Sequence, residues 1–255
     1  MKHIRNKVLS IILFIILSLI FIPACGQNNA SENNDSAENH FKRGAEYYAQ
    51  KNINMAIEEF TKAIKLDPNY EKAHYSLAIA YLDQDDTLNA IIEFKETLRI
   101  NPENAGAHNN LGLAYFKQGK NKLAISEFNN ALKYDPNNYE SFINIGNCYI
   151  SEDKISDGIK MYNESFKIKP DNPVAHYNLA NVYLKEKIYP KAIKELKEAI
   201  NYDPKYIDAY FNLYLIYITT KDKKSANALI PEIKKIDPEL AERLIYYIKS
   251  ENKKQ

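Results

Sequence analysis

The chain has 255 residues, with 34 basic and 33 acidic side chains, two cysteines and no tryptophan. A formal charge of +1 argues against nucleic acid, which calls for a basic stripe, and against a polybasic membrane-surface domain. The two cysteines, Cys25 and Cys148, offer no structural disulfide once Cys25 is assigned to lipid below, so the fold must rest on packing.

In chain order, Met1 to Lys7 carries three positive charges, and Val8 to Ile22 is an uncharged apolar run ahead of Pro23-Ala24-Cys25-Gly26. That pattern predicts a secretory signal, because a membrane-spanning helix needs about 20 apolar residues. Ile22-Pro23-Ala24-Cys25 resembles a bacterial lipobox, although Pro23 departs from the commoner residues at that place. The resemblance implies cleavage before Cys25 and acylation, of the palmitate type, on its sulfur and new amino group. The alternative is an uncleaved signal anchor that merely holds Cys25 near the membrane. Either way residues 26 onward lie outside the cytoplasmic membrane. Gly26 is not the Asp that marks inner-membrane retention in enteric-type sorting, and which membrane holds the lipid stays open. Residues 1–24 are thus expected to be a signal peptide and 25–36 a lipidated cysteine with a tether. Gln27 to Asn39 is polar with almost nothing to bury, so it should be disordered, with a reach of roughly 20 Å.

From residue 37 a period of 34 governs the sequence. Pro recurs at 68, 102, 136, 170, 204 and 238, and Tyr at 47, 81, 115, 149, 183 and 217. Ala stands at 56, 90, 124, 192 and 226, with Gly158 completing the series. A ring column reads Phe60, Phe94, Phe128, Tyr162, Leu196, Ile230, and a small-residue column reads Gly44, Ala78, Gly112, Gly146, Ala180, Tyr214. Within one period the spacing is helical: His108, Leu111, Gly112 and Tyr115 form one stripe, and Ala124, Phe128, Ala131 and Leu132 a second. Gln118-Gly119-Lys120 supplies a turn with Gly at a left-handed helix end, and Asp135-Pro136 ends the second helix. The small column should let paired helices approach closely, with the rings filling space between repeats.

These columns resemble the tetratricopeptide repeat over residues 37–240. The resemblance implies an all-α fold: a right-handed superhelical solenoid of six helix-turn-helix repeats, at 37–70, 71–104, 105–138, 139–172, 173–206 and 207–240. The first helix of each pair would line the concave face. The usual Trp at position four is here His40, His74, His108, Phe142, His176 and Tyr210. A stack needs a solvating end, and residues 241–255 supply a capping helix and tail. In Ala241 to Ser250, Leu244, Tyr247 and Ile248 share one face, while Glu242, Arg243 and Lys249 take the other. Pro231 should kink or shorten the last second helix.

The four position-four histidines lie on different repeats, too far apart to share one ion, and are expected to pack half-buried. Cys148 falls in a column of mostly small apolar residues and is expected to be core. Lys191/Glu195 and Lys194/Glu198 have the spacing of helix pairs on solvated faces. No phosphate loop, paired-carboxylate pocket or nucleophile motif stands out. No enzyme, metal or cofactor is expected.

The polar feature with most content is a column of amides. Asn110, Asn144, Asn178 and Asn212 occupy position six, and Asn147 and Asn181 follow three residues later on the same helix face. Asn is a poor helix-interior residue, and its side chain offers a donor and an acceptor that match any peptide backbone. By the family's geometry this column faces the groove, where an asparagine ladder could hold an extended peptide, with Tyr75, Phe116, Tyr177 and Phe211 lining apolar pockets between the amides. Inheritance of Asn from the general repeat is the competing explanation. The family's clamp for C-terminal carboxylates is not expected, since Phe41 and Ala45 stand at its Lys and Asn places, and Glu140 or Asp208 at a later Lys. The functional expectation is a monomeric, lipid-anchored scaffold of the bacterial envelope that captures extended segments of other proteins. Its alternatives are a self-associating structural protein, hinted at by an exposed Tyr214 and an irregular sixth repeat, or an assembly lipoprotein of a pilus or secretion system. The lipoproteins that help assemble type IV pili are similar in length and layout.

Overall fold

A computed structural model describes residues 36–252, with side chains described as far as Tyr246. The signal segment, Cys25 and most of the tether lie outside the described residues. Among those residues there are thirteen helices and no strand, and no helix is long and apolar enough to cross a membrane. First and second helices alternate: α1 (Ala37–Ala49), α2 (Ile53–Leu66), α3 (Glu71–Asp83), α4 (Thr87–Ile100), α5 (Ala105–Lys117), α6 (Asn121–Tyr134), α7 (Tyr139–Ser151) and α8 (Ile155–Ile168). They continue as α9 (Pro173–Lys185), α10 (Tyr189–Tyr202), α11 (Ile207–Thr219) and α12 (Lys223–Ile236), and α13 (Pro238–Asn252) closes the series.

The boundaries follow from local chemistry. The Asn that precedes a first helix accepts a backbone N–H from its first turn: Asn104 from Ala107, Asn138 from Ser141 and Asn172 from Ala175, all within 2.9 Å. Each second helix ends where Pro follows an Asp, Asn or Lys cap. The turn inside a pair is closed by a residue in the left-handed region: Gly119 at φ 71°, but Lys51, Asp85, Asp153, Lys187 and Lys221 at φ 58–62°. Lys120 N–H and Lys154 N–H then reach back to the carbonyls of Tyr115 and Tyr149, each at 2.9 Å. Sequence reasoning assigned the left-handed turn to the glycine alone. The other five positions carry backbone strain that only the surrounding helices hold in place.

The described residues form two compact units that divide after Ala80. In the first, α1 pairs with α2, and an added Cβ on Gly44 would lie 2.6 Å from the Phe60 ring. In the second, the same close approach sets Gly112 against Phe128 and Gly146 against Tyr162. The rings therefore lie on their own pair's first helix, where the sequence suggested a place between repeats. Cys148 is fully buried, as expected, and burial pushes its thiol up to about 12.

At the C-terminal end Tyr214 is buried, the Pro231 helix is not shortened and the capping helix begins earlier than expected. Tyr214 is only 1% exposed, since the ring column there is Ile230, which leaves room, and α13 brings Leu244 into the same core. Helix α12 runs through Pro231 with the same 14 residues as the other second helices. Pro231 is exposed, so its ring faces solvent and the helix carries the missing hydrogen bond without ending. The capping helix also starts earlier than expected: Asp237 accepts the Leu240 N–H at 2.8 Å, and Pro238 opens the helix instead of preceding a loop.

Candidate peptide-binding face

The expected site residues of the second unit lie on its first helices. Asn110 and Phe116 are on α5, Asn144 and Asn147 on α7, Tyr177, Asn178 and Asn181 on α9, and Phe211 and Asn212 on α11, all partly exposed. Tyr75, on α3, belongs to the first unit and is also partly exposed.

The amides form rungs between successive first helices. Asn212 Nδ2 donates to Asn181 Oδ1 at 2.8 Å and to the Tyr177 hydroxyl at 3.3 Å. Asn178 Nδ2 reaches Asn147 Oδ1 at 3.5 Å, and that oxygen also accepts the Tyr162 hydroxyl at 2.6 Å. Asn144 Nδ2 donates to Asn109 Oδ1 at 3.2 Å, which accepts the Ser141 hydroxyl at 2.9 Å as well. Position-six amides thus hold the preceding first helix through position five or position nine. This bonding is structural in itself and accounts for the recurrence of Asn without a ligand. It commits one Nδ2 hydrogen each of Asn144 and Asn178 and both of Asn212, on a partly exposed face.

Two cavities open on this face. One, of about 280 Å³, is walled by Leu113, Ile143, Val174 and Tyr139, with the amides of Asn109, Asn110, Asn144 and Asn172 and one carboxylate, Glu140. The second, of about 640 Å³, lies between α11 and α13 and is lined chiefly by Ile207, Phe211, Tyr214, Leu215, Ile218, Leu240 and Leu244, with Asp208, Asp237 and Arg243 among its polar lining residues. Tyr177 packs against Tyr206 at 5.0 Å between ring centroids. Burial first, then the neighbouring Tyr177, pushes the Tyr206 phenol up to about 12, so this phenol is neutral at any ordinary pH. Of the four expected pocket aromatics Phe211 lines the larger cavity, and Tyr75, Phe116 and Tyr177 line neither. Sequence reasoning missed Asn109, Ile143, Val174 and the whole α11–α13 cavity. Position five, which holds Asn109, Ile143, Tyr177 and Phe211, carried the missing signal.

Around the face the charges are mostly spoken for. Lys117 pairs with Asp85 at 3.0 Å and Lys185 with Asp153 at 2.7 Å, each joining neighbouring pairs at the turn edge. The position-four histidines turn inward, and no group of three or more metal-binding side chains occurs among the described residues. They are bonded as well as packed: His40, His108 and His176 each place Nδ1 2.7–2.8 Å from a glutamate, Glu59, Glu127 and Glu195 respectively. Glu195 is consequently buried, which corrects the expectation of a solvated Lys191/Glu195 pair. Lys191 lies over the Tyr183 ring instead.

Comparison with known families settles the class. A model described as TPR repeat matches residues 44–85, 88–119 and 146–187, and one described as Tetratricopeptide repeat matches 105–138 and 173–206. The chain belongs to the tetratricopeptide repeat family. This tetratricopeptide repeat chain also superposes on solved structures, at identities that carry the fold alone. PilF of Pseudomonas aeruginosa aligns with a TM-score of 0.67 and 19% identity, covering 83% of this chain and 96% of that one. YrrB, described as a TPR protein with an unusual peptide-binding site, aligns at 0.55 and 22%, covering 71% and 94%. A thermophilic TPR protein of Thermus thermophilus aligns at 0.61 and 21%, covering 71% and 99%. No curated protein matches the chain.

Proposed function

We propose that this tetratricopeptide repeat protein is a non-catalytic scaffold of six repeats, tethered to a bacterial envelope membrane through lipid on Cys25, and that its first-helix face holds extended segments of partner proteins. The observation that carries the peptide reading is the 280 Å³ cavity beside Asn144, where the apolar walls of Leu113, Ile143 and Val174 adjoin amide side chains. Such a site accepts one bulky apolar side chain and pairs with the flanking backbone. Glu140 is the one charged residue in its wall, which favours neutral or basic segments over acidic ones. The α11–α13 cavity offers a second apolar seat further along the same face.

Val174 is 48% exposed and Leu215 43% exposed, so both can be replaced without disturbing the core. Extended peptides carrying bulky apolar residues on a neutral or basic backbone should bind the wild-type protein on an array and in solution titration. Val174→Arg with Leu215→Arg should weaken that binding at least about tenfold while helical circular dichroism and melting stay unchanged. Equal binding by both proteins would move the site to another face.

The lipid anchor has its own test: labelled palmitate should enter the wild-type protein in a bacterial host and not Cys25→Ser. A narrower role in assembling a pilus or secretion system rests on layout and on the fold likeness to PilF. Self-association loses its main hint with Tyr214 buried. We therefore propose a monomer, which light scattering would check directly.

A further inference from the structure

The position-four histidines change together with a second column. Every repeat with His at position four has Glu nineteen residues later: His40/Glu59, His74/Glu93, His108/Glu127 and His176/Glu195. The two repeats without His have lost the carboxylate too, as Phe142/Met161 and Tyr210/Leu229. Joint replacement of both members by apolar residues is what a direct, buried, polar pair requires, because either member left alone would be desolvated without a partner.

The geometry at His176 adds a second acceptor. Nδ1 lies 2.7 Å from Glu195 Oε2 on α10, and Nε2 lies 3.0 Å from the Pro170 carbonyl, in the turn that leads from α8 into α9. Both partners can only accept. A neutral imidazole carries one N–H and can satisfy one of them, leaving the other facing a bare lone pair; an imidazolium donates to both. The ring is also stacked between Phe166 of α8, at 4.4 Å, and Tyr202 of α10, at 5.5 Å. It therefore touches the preceding helix pair, the connecting turn and its own second helix at once. The charged groups around it are Glu195 and Glu198 of α10, with Lys194 Nζ 3.9 Å from Glu195 Oε1, while α8 presents the uncharged Phe166 ring. The same two-acceptor arrangement recurs at His108, with Glu127 at 2.7 Å and the Pro102 carbonyl at 3.0 Å. His40 departs from it, since Arg43 brings a permanent cation to within 2.7 Å of its Nδ1.

We propose that His176 is a pH-sensitive latch: the protonated ring clamps the Pro170–Asn172 turn and α9 to α10, and loss of the proton at higher pH releases the turn. The latch is independent of peptide capture, although it sits two residues from the Asn178 rung on α9. Burial disfavours the charge, but the Glu195 hydrogen bond and the Pro170 carbonyl outweigh it, and the ring holds its proton above the usual histidine value. The clamp is thus complete below the unfolded histidine value of about 6.5 and is lost as pH rises through the folded value.

The test uses the full-length protein with isotope-labelled histidine, following each ring by NMR from pH 5 to 9 and amide exchange at Ala175 and His176 over the same range. His176 should titrate above 6.5, and Glu195→Gln should weaken its proton binding by roughly threefold to tenfold. Exchange at the turn should rise with pH faster than chemical exchange alone. In His176→Phe with Glu195→Met, the apolar pair that the chain itself uses at Phe142 and Met161, that excess should vanish. A wild-type His176 midpoint at or below 6.5 overturns the proposal, as does an exchange excess that is absent from the wild type or persists in the double variant.

Discussion

At the scale of single residues, the decisive contacts are pairs that compensate in size or charge within one repeat. Gly112 has Phe128 against it, Gly146 has Tyr162, and at the same two columns Ala180 goes with Leu196 and Tyr214 with Ile230. Replacing Gly112 by Ala gains helix propensity of up to about 1 kcal/mol, yet places a Cβ 2.7 Å from the Phe128 ring and 3.1 Å from the Ala124 carbonyl. Overpacking of this kind costs about 1–3 kcal/mol, so Gly112→Ala should lower the urea midpoint. Adding Phe128→Leu, the partner that Ala180 has, should recover part of the loss. In sequence Ala78 goes with Phe94, so the expected cost is that of a shifted ring and not of a lost fold. Charge compensation is heaviest at Glu59. Burial pushes its carboxyl up, but hydrogen bonds from Lys62, Arg43 and His40 prevail and hold it at about 2, so its contribution is whole above the ordinary value of 4.5 and is lost progressively as pH falls from there through about 2.

At the scale of helices and turns, nearly everything was legible. The period of 34, the Asp-Pro stops and the helical stripes mark both helices of each pair. What stayed hidden has one physical origin: columns were read for sameness, while buried pairs reveal themselves by changing together. His176/Glu195 against Phe142/Met161 shows this, and so does Tyr214/Ile230, where the large ring is buried because its partner is not aromatic. Turns hid a second feature, since a left-handed residue is legible only when it is Gly. Lys187, at φ 58°, is exposed, and Gly there relieves roughly 1–2 kcal/mol of strain. Against this the unfolded chain gains about 0.4–1 kcal/mol of entropy. Lys187→Gly should therefore stabilise by about 0.5 kcal/mol and Gly119→Ala destabilise by a similar amount, in paired thermal melts. Cutting the chain before Pro238 should cost more, because it uncovers Tyr214 and removes Leu244 from their shared core; fluorescence of an apolar dye would report that surface.

For the molecule as a whole, balanced charge bears on how it meets a partner. The candidate face was half legible: the amide column lies on first helices and is partly exposed, but its bonds between helices and the cavities beside it depend on which helices become neighbours. Lys117 and Lys185 are tied to aspartates, and Arg243 is the one basic residue that lines either cavity. Peptide binding should then change less than about threefold between 50 and 500 mM salt, since screening removes only long-range charge attraction. A clamp built on lysines would weaken far more, and titration at the two salt concentrations separates them.

The compensating pairs have one more property. Glycine and its ring stand sixteen residues apart and His and its Glu nineteen, so both members always fall inside one stretch of 34. The links that cross to a neighbour, such as Lys185 to Asp153 or Asn212 to Asn181, ask only for a small set of residues at fixed offsets. A stretch of this length is therefore a cassette that brings its own corrections with it. Copying or removing one whole cassette leaves no interior pair orphaned, whereas a crossover in the middle of one splits Gly from ring and His from Glu. A lineage built this way can change the number of seats along its binding face in a single genetic step, and can then diversify each seat without renegotiating the core beneath it.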